Sequence, residues 1–134
     1  MIYNLGAYVI AQLPAISFWI NGWARNSPAD SVMLRQTGGD VQHDIDRSDP
    51  VVQFLSRAGS SIVAKKQIDD VYELLKNQLG VLLPAKTIDE GTIREVVYPA
   101  VKTYRIVPIQ VPGYIGADSI NHEMWSVNFI VTTD

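Results

Sequence analysis

The stretch from Ser60 to Gly80 limits what this chain can fold into more than any other. Ala64, Ile68, Val71, Tyr72, Leu75 and Leu79 recur at helical spacing and make one apolar stripe, with Leu74 widening it. Lys65, Lys66, Asp69, Asp70, Glu73 and Lys76 fall mostly on the opposite, solvated side. Ser60 or Ser61 can accept hydrogen bonds from the first free amides, and Gly80 can take the left-handed conformation that ends a helix. A helix with one apolar stripe needs a surface to bury it against. Strand-like segments stand on both sides of it in the sequence, so the expected partner is a sheet.

A second, shorter helix is expected near the start. Ile2, Leu5, Val9 and Leu13 recur at near-helical spacing, and Pro14 stops the pattern, which gives a helix from about Ile2 to Gln12. Ala15 to Ala24 holds Phe18, Trp19, Ile20 and Trp23 around Asn21-Gly22, a turn signal that suits two short strands or one bent strand. The aromatic cluster reads as core or subunit interface. Asn26 to Asp30 is a polar connector. Ser31 to Thr37 reads as a strand closed by Gly38-Gly39, and Asp40 to Asp49 as an acidic loop. Pro50 opens a strand to Arg57, with Val52 and Phe54 on one face and Gln53 and Arg57 on the other.

Beyond the long helix, Val81 to Pro84 ends the helical region and Lys86 to Arg94 reads as a polar excursion. Val96 to Val111 suits one or two strands, with Thr103, Arg105, Val107 and Ile109 facing one way and Tyr104 and Ile106 the other. Pro99 and Pro108 belong at strand ends or edges. Val111 to Gly116 is turn-rich. Trp125, Val127, Phe129 and Val131 alternate with Ser126, Asn128, Ile130 and Thr132 in the clearest strand of all. The order helix, strands, helix, strands gives an α+β domain spanning residues 1–134: a mostly antiparallel sheet with two helices packed on one face.

Composition excludes several functions. A formal net charge of −3 over 134 residues argues against a protein that works by neutralising phosphates, and against sequence-specific nucleic-acid binding. With no cysteine, disulfides and thiolate metal sites are ruled out. Met1 to Leu13 lacks the basic first segment of a signal peptide, and no apolar run reaches the roughly 18 residues that span a bilayer. The expectation is a soluble product made in the cytoplasm, with no membrane partner.

Candidate chemistry is sparse. His43, Asp44, Asp46 and Asp49 form a dense group of potential ligands that a hard cation such as calcium would favour. The spacing does not fit an EF-hand and Arg47 sits inside the group, so a solvated acidic loop is the simpler reading. His122-Glu123 could serve as acid and base, but adjacent strand residues point to opposite faces. No serine stands in a nucleophile-elbow context, and Gly38-Gly39 lacks the flanking residues of a phosphate loop. No enzyme, metal or cofactor is therefore expected. Arg35, Arg57 and Arg105 would make a modest positive lining if they projected from one sheet face, or would serve as edge charges and subunit-contact partners.

From Ser31 onward a distinctive order of features emerges. Ser31-Val32-Met33-Leu34-Arg35-Gln36-Thr37-Gly38-Gly39 is followed by the acidic loop, then Pro50-Val51-Val52-Gln53-Phe54-Leu55-Ser56-Arg57 and the helix carrying Val71-Tyr72-Glu73-Leu74-Leu75. Late in the chain come Tyr104-Arg105-Ile106-Val107-Pro108-Ile109 and Gln110-Val111-Pro112-Gly113-Tyr114-Ile115-Gly116, then the strand from Trp125 to Thr133. This order resembles the small minor capsid or tail terminator proteins of long-tailed bacteriophages. Gln110 to Gly116 is its most distinctive piece, while Phe18 to Trp23 and Lys86 to Arg94 have no counterpart in it.

The resemblance implies a structural virion protein of the tail-neck region, assembled in the host cytoplasm. Such subunits form a homo-oligomeric ring, commonly a hexamer, that caps the tail tube protein and presents a surface to head-completion or connector proteins. Another neck component of similar size is the nearest alternative. A ring contact joins two different patches per subunit. The loops Asp40–Asp49 and Val111–Ser119 are the expected donors, with Arg35, Asp44, Asp46, Arg57, Arg105 and Tyr114 as candidate subunit or tube contacts.

Overall fold

In the computed structural model, which describes residues 1–23, 30–42, 47–89 and 95–133, the chain is α+β. Helix α1 runs Ile2–Gln12 and helix α2 runs Ser61–Leu75. The strands are β1 (Phe18–Ile20), β2 (Ser31–Gln42), β3 (Arg47–Ala58), β4 (Gln78–Leu79), β5 (Leu82–Leu83), β6 (Lys86–Asp89), β7 (Glu95–Tyr98), β8 (Val101–Pro108), β9 (Gly113–Ala117) and β10 (Glu123–Thr133).

The main sheet has the order β1-β2-β3-β10-β8-β4, with β5 also on β8 and β9 also on β10. Every pairing is antiparallel except β1 with β2, which run parallel with Phe18 opposite Val32. Asn21, at φ 65, therefore turns the chain out of β1 rather than into a hairpin. Strands β6 and β7 form a separate two-stranded arm.

Both helices cover one face. Leu5 and Val9 of α1 and Ile68, Val71 and Leu75 of α2 are fully buried against Val32, Leu34, Val52, Phe54, Ile106, Val127 and Phe129. Phe54 and Phe129 meet edge to face at 5.9 Å in the centre, the geometry that aromatic quadrupoles favour. Gly6 marks the close approach of α1 to the sheet: a Cβ there would lie 2.7 Å from Ile20 Cδ1.

Several boundaries differ from the sequence reading, each for a local reason. β2 does not stop at Gly38-Gly39. A register shift between Gln36 and Gly38 marks a bulge, and the strand continues to Gln42. Much of the expected Asp40–Asp49 loop is thus paired hairpin. Pro50 lies inside β3, paired with Gly39 on one side and at a gap in the pairing with β10 between Val51 and Ser48 on the other, where a missing N–H is tolerated.

The long helix ends at Leu75, not at Gly80. Asn77 takes the left-handed conformation (φ 56), Gln78-Leu79 enters β4, and the positive φ of Gly80 serves the next turn. Lys86 to Arg94 is partly β6, and Val111 to Gly116 overlaps β9. On β8 a register shift places Arg105 opposite Thr132 but Thr103 opposite Thr133. This turns Thr103 to the helix side with Ile106, away from Arg105. The Asn26–Asp30 connector lies almost wholly outside the described residues.

Candidate assembly surface

Sheet register settles which face each arginine takes. Arg35 pairs with Gln53, and its Nε donates to Gln53 Oε1 at 2.7 Å. Gln53 lies opposite Asn128, Arg57 opposite Met124, and Arg105 opposite Thr132. Paired residues share a face and residues two apart on one strand do too, so Arg35, Arg57 and Arg105 project from one side. It is the side opposite the helices, because Val52, Phe54, Val127 and Phe129 alternate with these positions into the core. The Arg57 guanidinium stacks on the Trp23 ring, 4.1 Å from its centroid. Asp49, half-buried, is on the same face of β3 as Gln53.

Tyr114 belongs elsewhere. It pairs with Trp125 on β10, their rings 5.6 Å apart, and its hydroxyl donates to Glu123 Oε2. That hydrogen bond holds the phenol above its ordinary pKa. Trp125 in turn donates from Nε1 to Ser61 Oγ at 3.1 Å, with Lys65 Nζ 5.7 Å over its ring. The structure thus groups the three arginines and separates Tyr114 from them. Asp44 and Asp46, with His43, lie outside the described residues.

The turn after β9 is tightly bonded. Asp118 Oδ1 accepts from the backbone N–H of Ile120 at 3.0 Å and of His122 at 2.8 Å, and Oδ2 lies 3.2 Å from His122 Nδ1. The backbone hydrogen bond from His122 leads the causes that depress the Asp118 pKa. His122 and Glu123 therefore have separate partners, Asp118 for one and Tyr114 for the other.

Exposed apolar side chains gather where sequence reasoning did not look. Leu79, assigned to the helical stripe, is 76% exposed on β4, and Leu82 is 63% exposed on β5. The signal lay in Gln78 to Leu83, whose short apolar run suits a strand edge better than a fifth helical turn. Among the described residues no group of three histidine, aspartate or glutamate side chains could hold a metal ion, and no helix is long and apolar enough to cross a membrane. No protein-family model matches the chain, and no curated protein is similar to it.

Proposed function

We propose that the chain is a structural virion protein of a long-tailed phage, a tail terminator. On this reading its copies close into a ring, commonly a hexamer in the proteins it resembles, that caps the tail tube and joins it to the head. It has no catalytic activity and works in the tail-neck region of the virion. One observation supports this reading above the others. Gln110 to Gly116, the most distinctive part of the resemblance, leads into β9, which among the described residues pairs only with β10. Val111, Tyr114 and Ile115 there are exposed. Exposed apolar side chains on an open strand suit contact with another protein better than capture of a small molecule.

The arginine face suits a second contact. Charge reversal at Arg35 or Asp46 is expected to weaken assembly while the monomer stays folded. The deciding experiment is cosedimentation of the purified protein with polymerised tail tubes, imaged by negative-stain electron microscopy. Rings seated at one tube end are the expected result. No tube binding, with binding to emptied capsids instead, would move the protein to the head side of the neck.

A further inference from the structure

Two exposed patches of opposite charge lie at the two ends of one sheet edge. At the first, β4 and β5 pair with β8, setting Leu79 opposite Arg105 and Leu82 opposite Lys102. Lys102 and Arg105 are exposed and have no ion-pair partner among the described residues. Glu73, on the neighbouring helix α2, is engaged by Lys76 at 2.7 Å. The second patch is the stretch from Ile109 to Met124. It contains no lysine or arginine and carries Asp118 and Glu123. Val111, Ile115 and Ile120 are 67%, 54% and 65% exposed there. The cations that approach it from other elements are occupied: Lys65 is bonded to Asp69 at 2.6 Å, and Arg57 stacks on Trp23.

Both patches are open strand edges, since β9 pairs only with β10 and β4 and β5 only with β8 among the described residues. β8 and β9 pair with the same edge of β10 and run in the same direction. Arg105 pairs with Thr132 and Tyr114 with Trp125, seven residues apart on β10, or about 23 Å at about 3.3 Å per residue, so the rigid sheet of one copy holds its own patches apart.

We propose that the β9 end of one copy docks on the β4–β5–β8 end of the next. The proposal rests on the ring reading and names the contact within it. Burial of Ile115 and Ile120 against Leu79 and Leu82 supplies the attraction. Lys102 and Arg105 facing Asp118 and Glu123 fix the pairing, because two basic ends or two acidic ends repel. The patches differ, so the contact is heterologous and propagates from copy to copy until the rotation closes a ring.

The lack of any native cysteine allows a clean test by cross-linking. Leu82→Cys and Ile115→Cys chains are prepared separately, checked for native circular dichroism, and oxidised alone and as a mixture at the solubility limit. The mixture is expected to give a disulfide-linked dimer that neither chain gives alone. Adding Lys102→Glu and Arg105→Glu to the Leu82→Cys chain should lower that yield by about tenfold, and Glu123→Lys on its partner should restore part of it. No excess of mixed dimer over either chain alone overturns the proposal, as does a yield indifferent to the charge changes. The two readings fail separately. Cross-linking without tube binding leaves the contact standing and removes the tail terminator, whereas tube-bound rings without cross-linking do the reverse.

Discussion

Asn4 sits in the first turn of α1, 1% exposed, and its Nδ2 donates to the carbonyls of Pro84, Tyr98 and Pro99 at 2.9, 3.2 and 2.9 Å. Those carbonyls bracket the β6–β7 arm, and Tyr3 stacks on Tyr98 beside them at 4.8 Å. Asn4→Ala leaves the carbonyls without their donor and should cost about 2–3 kcal/mol, read from the urea midpoint. Asn4→Asp keeps the shape but turns a carboxylate toward three carbonyl oxygens, so it should cost more at neutral pH. Asp118 carries a pH dependence. Its folded pKa lies below the ordinary 3.8 of an aspartate, so its stabilisation is present above that value and is lost as pH falls through the depressed one. The stability gap between the native chain and Asp118→Asn should shrink as pH falls below about 4, as urea titrations at stepped pH would show. A sequence does not announce Asn4. A polar residue inside an apolar helical stripe reads as an interruption until its partners, far away in the chain, are seen.

The elements that were legible are those with unbroken periodicity. α1 keeps the bounds read from Ile2 and Pro14, and β10 keeps the alternation of Trp125, Val127, Phe129 and Val131. α2 was legible in its stripe and not at its end, because a glycine is a good stop signal and Asn77 is a quieter one. The paired arms of β2 and β3 were hidden by Gly38-Gly39 and Pro50, residues that usually end strands and here sit at a bulge and a gap in pairing. On α2, Ile68 is fully buried and Ile68→Ala should cost about 2–5 kcal/mol, whereas Asp69→Ala, breaking the exposed pair with Lys65, should cost at most about 0.5 kcal/mol. Thermal unfolding of the two variants separates them readily. Ser56 Oγ, donating to Ala64 O at 2.6 Å, and Trp125, donating to Ser61, tie the start of α2 to the sheet. Ser56→Ala should cost about 1 kcal/mol. Neither bond is visible in the sequence, since each joins residues that only the fold makes neighbours.

At the scale of the molecule, the sheet separates its roles by face and by edge. One face takes the helices, the other carries Arg35, Arg57 and Arg105, and one long edge carries the apolar ends. The common face of the arginines followed from the sequence only as a condition, because a bulge reverses the alternation on β8 and no pattern reveals where it falls. Salt that screens Lys102 and Arg105 from Asp118 and Glu123 should loosen the proposed edge contact between about 0.1 and 1 M, measurable by sedimentation velocity. The position of β10 has a further consequence, for timing. It lies between β3 and β8 and also carries β9, yet it is made from residues 123–133. While earlier residues are being synthesised, β3 has no neighbour on that side and β8 has none on its inner edge. The two halves of the sheet must therefore wait for β10, which makes closing the sheet a late, long-range step of folding. A chain stalled before residue 123 would offer open strands to its neighbours, so the step that completes the sheet also closes the window for misassembly.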